Sequence, residues 1–250
     1  MKLAIRIQHT PRRQRYVKEL VHMLNDDRVE IITDDKNDLW NSCVKTLSNI
    51  SEDVTHLLVL QDDILPCMDF VPTVERLIDL FPTEPLTFFC NKKTQDQARI
   101  QGVHYVMLQK WLMAQAYVMP VAIIKDFLVW SDQHIKPELY FDDGKWSMYL
   151  YYKNIQVRAT APSLVEHLGW NETTLSGYQQ QKPTTVGSDG SIINVDTLHC
   201  PVQRNDFDYN WRMARWFIGF ENSATDINWE NTAYLLDRDT AEEYRRYYKD

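Results

Sequence analysis

Apolar positions along this chain change their spacing in a regular way. Residues 2–8 (KLAIRIQ) are a short β-rich run closed by the turn-prone His9-Thr10-Pro11. Val17, Leu20, Val21 and Leu24 then fall at i, i+3, i+4 and i+7, one apolar stripe of a helix. Residues 29–33 (VEIIT) are a second strand ending in Asp34-Asp35, and Trp40, Cys43, Val44 and Leu47 repeat the helical spacing. The run 57–60 (LLVL) is apolar throughout, as in a strand covered on both faces. Val74, Leu77, Ile78 and Phe81 mark a third helix. This β-α-β-α-β-α order predicts a parallel sheet with right-handed crossovers.

The middle is less regular. Residues 86–90 (LTFFC) and 103–108 (VHYVML) read as strands, the second as an antiparallel candidate. Pro120 stands where a helix can begin, and 121–130 continue it. A helix from about Lys145 to Lys153 and a strand at 155–160 follow. Residues 176–196 are rich in Gly, Ser, Thr and Gln and read as a long loop. We expect one catalytic domain over 1–200. Residues 201–250 form an aromatic-rich extension packed on it, ending in a helix from Asp239 to Lys249.

Composition narrows the class. At 44% hydrophobic and 25% charged residues the chain is globular, and its net charge of −8 argues against a general polyanion binder. One local exception is the cluster Arg6, Arg12, Arg13, Arg15 and Lys18, which could hold phosphates. The four cysteines form no C-x-x-C pair, so a reducing compartment is expected. No apolar run approaches the ~18–20 residues of a membrane span. These features suggest a soluble, intracellular protein. Residues 1–60 contain no glycine, which excludes a phosphate-binding loop or dinucleotide fingerprint there.

Ligands of open α/β sheets bind beyond the carboxyl ends of the strands. There the first strand delivers Thr10 and the arginines, the second Asp34 and Asp35, and the third Gln61-Asp62-Asp63. Two carboxylates ending a buried strand are costly unless neutralised, and Mg²⁺ or Mn²⁺ would do this with ligand phosphates. A helix cap or turn is the plainer explanation. Asp142-Asp143 also divides two ways, into N-terminal capping or a general base for an acceptor hydroxyl. His167, in Pro162-Ser163-Leu164-Val165-Glu166-His167-Leu168-Gly169, is a metal-ligand candidate or a structural histidine.

The order of these pieces resembles the GT-A glycosyltransferases, in particular compact phage and bacterial ones, phage DNA glycosyltransferases among them, which implies a bacterial cytosol and leaves a phage origin open. It runs from a strand followed by Gln-Asp-Asp, through about eighty residues, to an acidic pair, a strand and P-S-L-V-x-H-x-G. The resemblance covers about residues 1–175 and implies a Rossmann-like α/β fold with a mixed, mainly parallel sheet flanked by helices. It implies Asp63 and His167 as metal ligands, with Asp62 toward the donor ribose or sugar. Asp143, with Asp142 beside it, would face the acceptor and act as base if the reaction inverts. More weakly, it implies Asp34 at the uracil or ribose, Thr10 with Arg12 or Arg13 near the base and diphosphate, and Lys45 within reach of a phosphate. Gln61 departs from the acid at the first position of the D-x-D motif.

The implied cofactors are a divalent metal, Mn²⁺ or Mg²⁺, and a nucleotide-diphosphate sugar, with a UDP-sugar foremost. The reaction would be hexosyl or pentosyl transfer to an acceptor hydroxyl. That hydroxyl would belong to an envelope glycan or to a 5-hydroxymethylpyrimidine in phage DNA. A metal-dependent nucleotidyltransferase and a non-catalytic nucleotide-sugar binding module stay open as alternatives.

Overall fold

The computed structural model describes residues 1–167 except 37, 90–97, 99–103, 109–110, 112–113, 136–141 and 162. The expected loop at 176–196 and the extension 201–250 lie outside the described residues.

Three βα units open the chain: β1 (Leu3–His9), α1 (Gln14–Leu24), β2 (Val29–Thr33), α2 (Leu39–Leu47), β3 (His56–Gln61) and, after the short β4 (Ile64–Pro66), α3 (Phe70–Leu80). Next come β5 (Leu86–Thr87), β6 (Tyr105–Leu108), β7 (Ala116–Pro120), α4 (Val121–His134), α5 (Asp142–Tyr152), β8 (Val157–Thr160) and β9 (Val165–His167). Among the described residues seven strands form one sheet in the order β2-β1-β3-β7-β5-β8-β6. β1 runs parallel to both β2 and β3, and β5 to β8, whereas β7 and β6 run against their neighbours. Five strands therefore point one way and two the other: a mixed, mainly parallel, helix-flanked α/β sheet.

β3 is buried along its length, as its unbroken apolar run predicted. Its next-door strand β7 was not anticipated. The residues Ala116–Met119 run into the apolar stripe of α4 at Pro120, so no alternation separates strand from helix. α5 begins at Asp142 rather than near Lys145, which puts both acids inside its first turn. Helix α1 stops at Asn25, whose left-handed backbone (φ 45°) returns its N–H to Val21 O at 3.1 Å.

A single hydrophobic cluster joins the two halves of the sheet to the helices. Around α4 and α5 it is aromatic: Phe127 stacks on Trp146 at 3.5 Å, and Trp111 and Tyr117 meet Trp146 edge-on. No helix among the described residues is long and apolar enough to cross a membrane.

Candidate functional site

β1, β2 and β3 end level with one another. Gln8 pairs with Gln61 and His9 with Thr33, so Thr10, Asp34, Asp62 and Asp63 emerge together at the carboxyl edge. Backbone bonds tie these exits: Asp62 N–H donates to Gln8 O (3.1 Å) and Asp34 N–H to His9 O (2.7 Å). On the other side of β3, Gln61 N–H donates to Gln115 O at 2.8 Å.

Asp62 and Asp63 are both buried. Asp62 is turned inward. Its Oδ2 accepts from Thr10 N–H (2.8 Å) and lies 2.8 Å from His9 Nδ1, while Oδ1 accepts from Arg13 at 3.1 Å. His9 in turn meets Gln14 Oε1 at 3.2 Å. In this structure Asp62 therefore fastens the β1–α1 connection, a 3₁₀ turn over Pro11–Arg13, onto the end of β3.

Asp63 faces different partners. Arg13 Nη1 lies 2.7 Å and His167 Nε2 3.0 Å from its Oδ2, while its buried Oδ1 has no hydrogen-bond partner among the described residues. Burial alone would raise the Asp63 pKa, but the Arg13 charge and the His167 contact hold it well below the usual carboxylate range. Asp62 moves up instead, first through burial and then through the charge of Asp63, against Arg13, Thr10 and His9. Asp63 is thus the ionised acid, and His167 must carry its proton on Nε2 to donate to it.

His167 reaches Asp63 through a two-stranded ladder. β4 pairs antiparallel with β9 so that Ile64 stands opposite His167, one residue beyond Asp63. Phe89 packs edge-on against the imidazole at 6.2 Å. This pair fits a hard divalent ion. The 3.0 Å separation is that of an ordinary N–H···O hydrogen bond, and the same two atoms could serve a hard divalent ion as an adjacent pair of ligands. The orphaned Asp63 Oδ1 points the same way. Among the described residues no third His, Cys, Asp or Glu joins them. Ligand phosphates and water would complete the shell of Mg²⁺ or Mn²⁺.

The remaining candidates are placed as follows. Arg12 is exposed on the 3₁₀ turn. Asp34 is half-buried, its Oδ1 accepting from the backbone N–H groups of Lys36 (3.2 Å) and Asp38 (3.1 Å), and so shapes the loop into α2. Lys45 is exposed and lies 3.4 Å from Asp35. Arg6 does not belong to a phosphate cluster: its guanidinium is buried against Thr46 O, Ser48 O and Asn49 O at the end of α2, with Glu30 at 2.8 Å.

Asp142 and Asp143 form a chain of local bonds, Asp143 N–H to Asp142 Oδ1 (2.9 Å) and Gly144 N–H to Asp143 Oδ1 (2.7 Å). Burial raises Asp142 to about 6. Burial, and then the neighbouring charge of Asp142, raises Asp143 to about 8. Asp142 acts electrostatically on Cys43 of α2 and Tyr117 of β7, and Tyr117 pairs with Val59 of β3. The first turn of α5 therefore stands on the side of α2 and β7. Two contributors escaped the sequence reading. His9 was hidden as the last residue of β1. Lys145, buried with Nζ 3.6 Å from the Trp40 ring centroid, resembled an ordinary helix lysine.

These elements define an α/β fold whose candidate site lies at the carboxyl edge of three parallel strands. No protein-family model and no curated protein matches the chain. Among solved structures it is similar to A197 from STIV, with 11% identity over 82% of this chain and 99% of that one, at a TM-score of 0.48. It is also similar to S. aureus TarS, with 12% identity, 89% of this chain and 41% of TarS covered, and a TM-score of 0.44. A third is S. aureus TarS 1–349 in complex with UDP-GlcNAc: 12% identity, 94% and 71% covered, TM-score 0.43.

Proposed function

We propose that this protein is a glycosyltransferase of the GT-A kind that moves a sugar from a nucleotide-diphosphate donor to an acceptor hydroxyl. The observation that carries the reading is the meeting of Asp63 with His167 at 3.0 Å beside a buried, unpartnered carboxylate oxygen.

In this reading Asp63 and His167 hold a divalent ion, and when bound it would offset negative charge on the departing diphosphate. Asp62 is a positioning residue that keeps the Thr10–Arg13 turn over the site through three contacts. Thr10, Arg13 and exposed Arg12 face the donor phosphates, and Asp34 the ribose or base. The pair Asp142 and Asp143 holds a proton near neutral pH and takes another from the attacking hydroxyl, as a base poised near the working pH should. Inversion at the anomeric carbon accords with such a base.

The acceptor is a hydroxyl of a glycan or of a 5-hydroxymethylpyrimidine in DNA. Exposed Arg12, Arg15 and Lys18 beside the site suit the nucleic acid, and the overall charge of −8 suits the glycan. Calorimetric titration with UDP and UDP-sugars, with and without Mn²⁺, tests the donor half. Metal-dependent binding lost in Asp63→Ala supports it, and no binding to folded protein contradicts it. Glycan and hydroxymethylated DNA arms of a transfer assay separate the acceptors.

A further inference from the structure

Asp63 already has a cation. Arg13 Nη1 lies 2.7 Å from Asp63 Oδ2 and 3.1 Å from Asp62 Oδ1, so one guanidinium spans both acids. His167 Nε2 donates to that same Asp63 oxygen at 3.0 Å. To offer Oδ2 and Nε2 to a divalent ion, the protein must withdraw two N–H groups. His167 can give up its Nε2 proton and keep one on Nδ1. The guanidinium cannot deprotonate, and an ion on Asp63, whether at Oδ2 or at the neighbouring Oδ1, would share one buried carboxylate with a fixed positive charge that repels it. Arg13 must therefore move. The turn that carries it need not, because Thr10 N–H and His9 fasten that turn to Asp62 independently.

We propose that Arg13 is a resident counter-ion that competes with the metal for Asp63. It neutralises the acid pair while the site holds no ion, and leaves Asp63 when one enters. Its guanidinium is then released beside the donor's diphosphate, so that metal and donor load together. This inference rests on the metal and nucleotide-sugar reading above.

Two measurements on the full chain test it. Arg13→Met should bind Mn²⁺ alone roughly tenfold more tightly than wild type by electron paramagnetic titration, within the usual range of coupling at one site. The same variant should bind UDP in the presence of Mn²⁺ more weakly. Equal or weaker Mn²⁺ binding by folded Arg13→Met would overturn the competition. The second measurement avoids any folding loss in the variant. In wild type, the Arg13 guanidinium and His167 ring signals are followed by NMR during addition of Mg²⁺. Both should shift together and saturate at the same concentration. A moving His167 with a still Arg13 refutes the counter-ion role alone. A His167 that never responds refutes the metal reading itself, and the inference with it.

Discussion

Asp63 and His167 stand 104 positions apart in the chain, yet their side chains meet at 3.0 Å. The contact is built by register: Asp63 directly precedes β4, and the opposite strand β9 ends on His167 across from Ile64. His167 is mostly covered, at 16% side-chain exposure, and its ring both meets the buried Asp63 carboxylate and packs against Phe89. His167→Ala should lower Mn²⁺ affinity by about 10- to 100-fold, the cost of a lost ligand or its support. Its thermal stability should fall as well, because a partner of the buried Asp63 carboxylate is lost, so the affinity is read at a temperature where the variant is folded. Unchanged Mn²⁺ affinity by calorimetry would show that the pair is structural.

Arg6 makes the contrasting case. Its guanidinium holds three backbone carbonyls at the end of α2, where hydrogen bonds from a charged group stabilise by about 1.5–3 kcal/mol each. Arg6→Ala should lose at least ~3 kcal/mol in urea unfolding, less than the three bonds summed because two of the freed carbonyls are only part-buried, and leave donor affinity unaltered. A large drop in donor affinity with little loss of stability would return Arg6 to the phosphate cluster.

The acids at the start of α5 set a pH dependence with a definite sign. Their folded values, about 6 and about 8, stand above the ordinary value of 3.8. Protons are bound more tightly in the folded state, so this contribution is full below pH 4, declines from there, and loses its last part as pH rises through 6 to 8. Stability measured by urea titration should fall across that window, and Asp143→Asn should flatten the fall. Transfer rates should rise across the same window as the base is freed. A rate independent of pH between 6 and 9 would exclude the pair as the base.

Lys145 predicts the opposite slope at higher pH. Burial beside Trp40 pushes its amine down from 10.5 to about 8, so the unfolded chain binds its proton more tightly than the folded one. Stability should therefore recover as pH rises from 8 to about 10.5. Lys145→Met should abolish that recovery and leave the loss below pH 8 intact. Recovery that persists in the variant would place its source elsewhere.

The units that a 3.6- or 2-residue rhythm can mark were legible: β1, β2, β3 and helices α1 to α3. So were the acids that end β3, because two charges after an apolar strand stand out in any chain. What failed to show was built from too few residues. β4 and β9 have three residues each, too short for alternation, and they are what bring His167 to Asp63. β7 merged with the apolar stripe of the next helix. Arg6 and Arg13 look alike in sequence; only their reach separates them, one to carbonyls some 40 positions on and the other to the acids. His9 gave a faint signal, a polar residue on the buried face of β1 beside Ile5 and Ile7.

The central claim is tested most directly by release of nucleoside diphosphate from a panel of nucleotide sugars with Mn²⁺ or Mg²⁺. Wild type and Asp63→Ala would be run in parallel, each with simple glycosides, plain DNA and hydroxymethylated DNA. The account predicts metal-dependent release stimulated by one acceptor, and a loss of about 10²- to 10³-fold or more in Asp63→Ala. No turnover of any donor by folded wild-type protein, or full activity in the variant, would mean that Asp62 and Asp63 serve the fold alone.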